Sequence, residues 1–276
     1  MKADYAKSPL LLENISHRYG GVPILQNLNL VIHPGEVVVL VGPSGCGKTT
    51  LLNILSGYIK PAGGTIHKKG IIRTVYQKDG LFPWLTVEEN ISVGLRSISD
   101  AAQRRAELRE LLQLIRLEAF SQHYPHQLSG GMRQRVELAR VLAGHSDILL
   151  MDEPFCALDY QSRLQMRWEL VRLLHKRPRT VVFVTHDIEE AAQLADRVLV
   201  LSHRPTTICR ELVINSPRPR DATDPAVVEA MKEILHELGL QAAGNIDPYA
   251  KGEALLEINT GVQLSTGSTQ PIPVSV

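Results

Sequence analysis

The chain has 276 residues, of which 44% are hydrophobic, and 30 Lys and Arg residues against 29 Asp and Glu give it a formal net charge of +1. This size corresponds to one large domain or to a core with a smaller partner, and the apolar content is enough for a sizeable core. The balanced charge argues against a protein that binds nucleic acid through a general basic excess, and against a disordered chain of one charge sign.

The sequence also argues against a transmembrane segment, a signal peptide and a disulfide scaffold. No apolar run approaches the ~20 residues that a bilayer crossing needs, so we expect no transmembrane segment. Residues 1–5 lack the apolar region of a signal peptide. Three cysteines, Cys46, Cys156 and Cys209, cannot form a disulfide scaffold, and their odd number fits a reducing compartment.

Strand patterns and helix patterns alternate along the chain. Residues 10–15 and 24–32 alternate apolar and polar side chains, as half-buried strands do. Four runs without alternation are typical of parallel strands covered on both faces, and these are residues 37–41, 148–151, 181–184 and 198–201. Helical patterns occur at 49–55, 101–117, 132–143, 161–175 and 188–195. The sequence therefore predicts a layered α/β core.

The remaining segments define the domain organisation. Residues 86–143 contain helical patterns and no strand-like run, which predicts a helical subdomain inserted into the core. A further strand is predicted at 208–213, and an amphipathic helix at 225–238. Residues 216–220 break regular structure, so we expect Arg218 and Arg220 in an exposed loop. The predicted domain spans residues 8–240, and residues 241–276, rich in Gly, Ser, Thr and Pro, are predicted to form a loosely ordered tail.

Residues 42–49 read Gly-Pro-Ser-Gly-Cys-Gly-Lys-Thr, the phosphate-loop pattern of Gly, four residues, Gly-Lys and Ser or Thr. The loop joins a predicted buried strand to a predicted helix, so backbone N–H groups and the helix N-terminus can surround phosphate oxygens. We expect Lys48 to reach the β- and γ-phosphates and the Thr49 hydroxyl to hold Mg²⁺. A glycine-rich turn without a ligand is the weaker alternative. The predicted nucleotide-binding residues here are Gly42, Pro43, Ser44, Gly45, Cys46, Gly47, Lys48, Thr49 and Thr50.

Cys46 lies inside this loop. Because a helix N-terminus can lower the pKa of a thiol, the sequence predicts a reactive cysteine. We expect alkylation of Cys46 to block ATP binding, and ATP to protect the thiol.

Asp152 and Glu153 follow the predicted strand at 148–151. Ligands bind at the carboxyl ends of strands in open α/β sheets, so both carboxylates would lie near the phosphate loop. We expect Asp152 to orient Mg²⁺ through its water shell, and Glu153 to polarise the water that attacks the γ-phosphate. A strand-ending acidic turn before Pro154 is the alternative.

A third motif narrows the class of phosphate-loop protein. Residues 128–135, Leu-Ser-Gly-Gly-Met-Arg-Gln-Arg, resemble the signature of the ATP-binding cassette (ABC) family, with Met132 at the usual Gln position. The Ser and the two glycines open a predicted helix, another anion-binding terminus, although an ordinary Ser N-cap is the alternative. The resemblance implies that this motif faces the γ-phosphate held by a second subunit. Its nucleotide-binding residues would be Ser129, Gly130, Gly131 and Met132.

Other motifs of the family occur in the expected order. Tyr19 resembles the aromatic residue that stacks on adenine, and Gln77 the glutamine that contacts Mg²⁺ and water. Asp159 resembles part of the loop that crosses the dimer interface, and His186 the histidine at the γ-phosphate. Taken singly, each residue has a simpler interpretation in packing or at the surface, but the ordered set excludes coincidence.

The resemblance covers residues 10–215 and implies an ABC-type phosphate-loop ATPase. The implied fold is α/β, with a RecA-like core, a small antiparallel β subdomain and an inserted helical subdomain. Two ATP molecules would lie between two subunits, the second being a copy or a close relative. The implied catalytic residues are Lys48, Gln77, Glu153 and His186, and the implied Mg²⁺ residues are Thr49, Gln77 and Asp152.

The spacing between motifs and the local sequence indicate which branch of the family the chain resembles. The phosphate loop and the signature are too close in sequence for the coiled coils of DNA-repair and chromosome-packing relatives, and translation-type relatives carry two cassettes. Residues 76–87, 152–155 and 185–191 resemble the nitrate, sulfonate and taurine importer branch. We therefore expect a peripheral subunit at the cytoplasmic face of the inner or plasma membrane. Separate permease subunits would be direct partners, a solute-binding protein outside the membrane an indirect one, and nucleic acid is not expected as a partner.

Phe82, Pro83 and Trp84 place apolar side chains just after Gln77, where the family docks its permease. Packing against the helical subdomain is the alternative. The chain departs from the family at Cys156, where Gly or Ser is usual, and in the short stretch 63–77, which predicts a trimmed antiparallel sheet.

Two other functions stay open. The chain could be a soluble ABC ATPase that acts as an ATP switch on a protein or nucleic-acid partner, in which case the surface around Phe82 and Trp84 would be dispensable. A monomeric small-molecule kinase would share the phosphate loop but would leave residues 129–134 unexplained. The sequence does not identify a solute.

Overall fold

Two β-sheets and seven α-helices make up the part of the chain that the computed structural model describes, residues 9–76 and 80–240. The strands in chain order are β1 (Leu10–Tyr19), β2 (Val22–Ile32), β3 (Val37–Val41), β4 (Gly63–Lys68), β5 (Ile72–Val75), β6 (Ile148–Asp152), β7 (Thr180–Val184), β8 (Arg197–Leu201) and β9 (Ile208–Val213). The helices are α1 (Lys48–Ser56), α2 (Val87–Gly94), α3 (Ala101–Leu114), α4 (Gly130–Ala143), α5 (Tyr160–Lys176), α6 (Ile188–Leu194) and α7 (Pro225–Glu237).

The large sheet has six strands in the order β5–β6–β7–β3–β8–β9. The first five run parallel, and β9 pairs antiparallel with β8. The small sheet is antiparallel, with β1 between β2 and β4. Among the described residues this small sheet has three strands. The third, β4, spans Gly63–Lys68 and lies in the short stretch 63–77, from which a trimmed sheet was predicted.

The central strands are buried on both faces, which explains their unbroken runs of apolar residues. Val37, Val39 and Val41 of β3 point into one apolar cluster, and Val38 and Leu40 point into the other. The first cluster is covered by α2 to α7, and the second by α1 and the small antiparallel sheet. The large sheet is therefore the middle layer of the fold, as the predicted α/β class requires.

Helices α2, α3 and α4 lie between β5 and β6, and no strand occurs in the described residues from Val87 to Ala143. A capping box starts α2: the Thr86 hydroxyl accepts from Glu89 N–H, and the Glu89 carboxylate accepts from Thr86 N–H. The sequence patterns did not predict α2, β4 or β5. β5 carries Arg73 and Thr74 at its centre, so it lacks the apolar run of the inner strands.

None of the helices in residues 9–76 and 80–240 is both long and apolar enough to cross a lipid bilayer.

The expectation that Arg220 lies in an exposed loop was wrong. Its side chain is buried, with 4% of its surface accessible. Its guanidinium donates to the carbonyl oxygen of Ala195, just after α6, and to those of Ile214 and Ser216, the last at 2.8 Å from Nε. Arg218 lies beside it and forms an ion pair with Asp196 at 2.9 Å. The segment 216–220 is thus irregular, as predicted, but it is fastened to the core by a cation that satisfies buried carbonyl groups.

We predict that Arg220→Met lowers the free energy of unfolding by about 2–4 kcal/mol, because several buried carbonyl oxygens lose their donor while the apolar stem is kept. Arg109→Met is the matched control, since Arg109 lies exposed on α3 and should change stability by less than about 0.5 kcal/mol. Chemical denaturation of both variants measures the difference. Equal stabilities would show that the buried guanidinium contributes nothing.

Candidate functional site

The phosphate loop connects β3 to α1, as the sequence predicted. Helix α1 starts after Gly47, which has no side chain that could cap the first N–H groups of the helix. The Lys48 side chain is buried and its ammonium donates to the carbonyl oxygens of Gly42 at 2.7 Å and Pro43 at 3.0 Å. Ser44 and Gly45 are exposed at the tip of the loop. The loop thus offers a helix N-terminus, a positive charge and an open side to an anion.

Gly47 must be a glycine for two reasons. Its φ of 117° lies in the left-handed region, and a Cβ atom there would come within 2.8 Å of Ile24 Cγ2. Ile24 belongs to β2, so the small antiparallel sheet packs directly against the phosphate loop. The sequence pattern marks this glycine, but only the fold shows which strand excludes a side chain.

Cys46 does not behave as the sequence predicted. Only 2% of its surface is accessible, and burial raises the pKa of the thiol, although the nearby Lys48 charge acts in the opposite direction. The expectation of a lowered thiol pKa was wrong, because desolvation outweighs the helix N-terminus. The expected block of ATP binding by alkylation stays a prediction. The backbone of Cys46 remains part of the loop, and Thr206 fastens it by donating its hydroxyl hydrogen to the Cys46 carbonyl oxygen. No motif pointed to Thr206, which is fully buried in the turn between β8 and β9.

Asp152 ends β6 with 2% of its surface exposed, and the Thr49 hydroxyl at the start of α1 hydrogen-bonds its carboxylate. Burial raises the pKa of Asp152, and the hydrogen bond from Thr49 acts against this shift. A hydroxyl and a carboxylate oxygen next to a phosphate loop are hard oxygen ligands of the kind Mg²⁺ prefers, with phosphate and water completing its shell. The residue types at this place therefore fit the predicted metal.

Glu153 follows Asp152 and has an unusual backbone conformation, with φ of 48°. Its N–H donates to the carbonyl oxygen of Val184, the last residue of β7, at 2.9 Å. One carboxylate oxygen lies 3.3 Å from Nδ1 of His186, whose own side chain is 63% exposed. A left-handed conformation of a non-glycine residue costs free energy, and such residues are enriched at functional sites. The structure thus brings together the two residues that the sequence proposed for the γ-phosphate.

The loop that carries His186 is tied to α5 by a buried arginine that the sequence reading missed. Arg167 is 4% exposed and donates to the carboxylates of Asp187 at 2.7 Å, Glu189 at 3.1 Å and Glu190 at 3.3 Å. Arg163, one helical turn earlier, also reaches Asp187 at 3.3 Å. Two arginines four residues apart on a helix, with an acidic run elsewhere in the chain, were the signal that could have predicted this tie.

The signature residues form the start of α4. Ser129 is its N-cap, with Oγ accepting from the N–H of Met132 at 3.2 Å, and both Ser129 and Gly130 are exposed. A Cβ atom at Gly131 would lie 3.1 Å from the carbonyl oxygen of Ala157, so the loop after Glu153 packs closely on this turn. Met132 is partly buried and packs against the core. The alternative of an ordinary Ser N-cap is therefore correct as geometry, and it leaves the exposed face of the turn available.

Asp159 and Tyr19 lie at the surface. Asp159 caps α5 by accepting from Ser162 N–H at 3.0 Å, and hydrogen bonds from Ser162 lower the pKa of its carboxyl. Tyr19 at the end of β1 is 49% exposed and meets the ring of His17 edge-on, with 4.8 Å between ring centroids. About half of the surface of Tyr19 is thus accessible to a ligand. Gln77, which was predicted to contact Mg²⁺ and water, lies outside the described residues.

The chain matches known proteins over most of its length. The family model described as ABC transporter matches residues 25–156. An uncharacterized ABC transporter ATP-binding protein of Methanocaldococcus jannaschii is 41% identical over 250 residues, covering 86% of this chain and 94% of the relative. The aliphatic sulfonates import ATP-binding protein SsuB 1 of Rhodococcus jostii is 43% identical over 237 residues, covering 84% and 93%.

Solved structures give the same result for the fold. The dimeric structure of an ATP-binding cassette in a post-hydrolysis state, bound to ADP and Pi, superposes with a TM-score of 0.68. It is 32% identical and covers 75% of this chain and 100% of its own. The fold class expected from the sequence, with its core, small antiparallel sheet and helical insert, is confirmed.

We predict opposite effects of Asp152→Asn on the free and the Mg²⁺–ATP-bound protein. Without ligand, the variant should gain about 1–2 kcal/mol, because it removes a buried charge and keeps a partner for Thr49. Mg²⁺–ATP should then stabilise it far less than the wild type. Thermal unfolding with and without Mg²⁺–ATP measures both effects, with the exposed Glu118→Gln as control.

The raised pKa of Asp152 also predicts how stability and Mg²⁺–ATP binding depend on pH. Because the pKa of Asp152 is raised, its charge lowers the stability of the free protein as the pH rises through that pKa, whereas Mg²⁺–ATP binding should weaken as the pH falls through it. A variant that is destabilised without ligand, or fully stabilised by Mg²⁺–ATP, would contradict this role of Asp152.

Proposed function

Since the chain belongs to the ABC transporter family of ATP-binding proteins, we propose that it is the ATPase subunit that energises the import of a small solute through a separate permease. It binds ATP with Mg²⁺ and hydrolyses ATP to ADP and phosphate. The observation that carries the proposal is the joint placement of Lys48, the pair Thr49 and Asp152, and the pair Glu153 and His186 at one end of the large sheet.

Catalysis on this site is mainly positioning and charge stabilisation. The Lys48 ammonium would leave the loop carbonyl oxygens and neutralise the β- and γ-phosphates, and the N–H groups at the start of α1 would surround their oxygens. Thr49 and Asp152 would hold Mg²⁺, which when bound screens the phosphate charge. Glu153 would accept a proton from the attacking water, and His186 would hold the γ-phosphate. Gln77 is assigned to the same site from the family resemblance, and Tyr19 to adenine.

The signature residues that complete each ATP site would come from another subunit. Ser129, Gly130, Gly131 and Met132 form the start of α4, where Ser129 and Gly130 are exposed, and this suits a γ-phosphate bound to a partner molecule. Asp159 lies on the same stretch as Ala157, which packs on Gly131, so it would reach the same interface. A similar cassette has been solved as a dimer bound to ADP and Pi, which supports two ATP molecules shared between two copies or close relatives.

The proposed permease contact is the surface formed by Phe82 and Trp84, hereafter the docking surface. Trp84 is 69% exposed, and its ring centroid lies 5.5 Å from that of Phe82. The guanidinium of Arg140 on α4 lies 5.3 Å over the Phe82 ring. An exposed tryptophan next to a well-packed aromatic ring is the kind of anchor that binds a partner helix.

The docking surface is held by buried hydrogen bonds. Asn90 of α2 is fully buried, and its amide oxygen accepts from Phe82 N–H at 2.9 Å. Its amide nitrogen donates to the carbonyl oxygens of Phe82, Leu85 and Thr86 at 2.9–3.1 Å. The loop is therefore built before any partner binds, and less conformational entropy is lost on docking.

We propose a small sulfur oxyanion, of the sulfonate class, as the solute, because similar proteins carry the name of aliphatic sulfonate import. A solute-binding protein outside the membrane would deliver it to the permease. The ATPase itself would then lie at the cytoplasmic face of the membrane as a peripheral subunit.

The test of the function uses Glu153→Gln. Loss of the proton acceptor should slow hydrolysis about 100-fold or more while ATP still binds, so the ATP-bound dimer should accumulate. Affinity purification of the tagged variant in mild detergent with Mg²⁺–ATP should then recover a multi-span permease and a solute-binding protein. Glu118→Gln, an exposed carboxylate elsewhere, should hydrolyse ATP at the wild-type rate. Soluble partners alone would support the ATP-switch function instead, and a fully active Glu153→Gln monomer would refute the mechanism.

The docking surface has a separate test. Trp84→Ser should reduce permease recovery about tenfold or more without changing ATP hydrolysis by the free subunit, because a central exposed aromatic anchor is lost. Trp168→Ser is the matched control, since Trp168 is 48% exposed on α5. Equal recovery with both variants would place the permease contact elsewhere.

A further inference from the structure

A buried glutamine joins the helical insert to the loop that carries Glu153. Gln134 lies on α4, two residues after Met132, with 7% of its surface accessible. Its amide nitrogen donates to the Glu153 carbonyl oxygen at 3.2 Å, and its amide oxygen accepts from the N–H of Ala157 at 2.9 Å. The same nitrogen lies 3.5 Å from the sulfur of Cys156. One side chain thus fastens both ends of the segment 153–157.

These bonds act on the backbone of Glu153 at the point where it is strained. The residue has a φ of 48°, its N–H is bonded to Val184 of β7, and its carbonyl oxygen is bonded to Gln134 of α4. A left-handed conformation persists only when the surroundings determine it. The direction of the Glu153 carboxylate, 3.3 Å from His186, therefore depends on both bonds.

We propose that Gln134 is a positioning residue of the ATPase reaction, which acts by holding the Glu153 backbone so that its carboxylate faces the attacking water. This inference rests on the proposed role of Glu153 as proton acceptor. In the described part of the chain, the hydrogen bonds of the Gln134 side chain all go to residues 153–157, and none goes to the phosphate loop. The proposal therefore requires an effect on the rate of hydrolysis and little effect on ATP affinity.

Two substitutions separate the two hydrogen bonds. Gln134→Met keeps the length of the side chain and removes both bonds. Gln134→Glu keeps an acceptor for Ala157 N–H but loses the donor for the Glu153 carbonyl oxygen. If the bond to Glu153 sets the rate, both variants should show kcat reduced about tenfold or more, with KM for ATP within about twofold of wild type.

Gln113→Met is the matched control, because Gln113 is exposed on α3. It should leave kcat, KM and the melting temperature unchanged. A Gln134→Glu protein with wild-type kcat would overturn the proposal, since only the bond to Ala157 would then be needed. A parallel loss of kcat, ATP affinity and melting temperature in both variants would also overturn it, because that pattern is the mark of a purely structural residue. If Gln134→Met does not fold, Gln134→Glu decides alone.

A double variant tests whether Gln134 acts through Glu153. Adding Gln134→Glu to Glu153→Gln should not lower the residual single-turnover rate further, because the carboxylate being positioned is already gone. Additive losses would mean that Gln134 works by another route and would refute the inference. The Glu153→Gln single variant reports independently on the proposed function, so the two failures can be told apart.

Discussion

The site depends on parallel hydrogen bonding between three neighbouring strands, in the order β6–β7–β3. Asp152 pairs with Val184, and Val184 pairs with Leu40, so the three strands end at the same level. The phosphate loop, the acidic pair and the His186 loop each follow one of these ends and consequently meet. A register shift of one residue in any of the strands would turn the terminal side chains to the other face of the sheet and separate the groups.

Buried charge surrounds this edge of the sheet. Lys48 and Asp152 are both nearly inaccessible, and Arg167 holds three carboxylates beside the His186 loop. Each of these charges costs desolvation free energy that its partners have to offset. Burial also raises the pKa of Glu190, although the Arg167 charge favours the ionised form. The buried charges thus lie close to the proposed nucleotide site, as is common at functional sites.

Sequence patterns predicted those elements whose structure depends mainly on residues close together in the sequence. The unbroken apolar run at Val37–Val41 and the glycines of the phosphate loop report burial and backbone conformation directly, and β3 and β9 were predicted to the residue. β5 was missed because Arg73 and Thr74 interrupt its apolar pattern, and Cys46 was misjudged because desolvation depends on neighbours that are remote in sequence. Arg220 was placed in an exposed loop for the same reason.

Helix α4 contacts both the loop that carries Glu153 and the proposed docking surface. Near its start, Gln134 donates to the Glu153 carbonyl oxygen; farther along, Glu137 accepts from Gly80 N–H at 3.1 Å, and the Arg140 guanidinium lies over the Phe82 ring. Its 14 residues contain no proline, and such a helix is a stiff rod of about 21 Å. A rod transmits displacement without storing it in a hinge. A displacement at the proposed docking surface would therefore also move the Glu153 loop, and a partner bound there would control the rate of hydrolysis through a single helix.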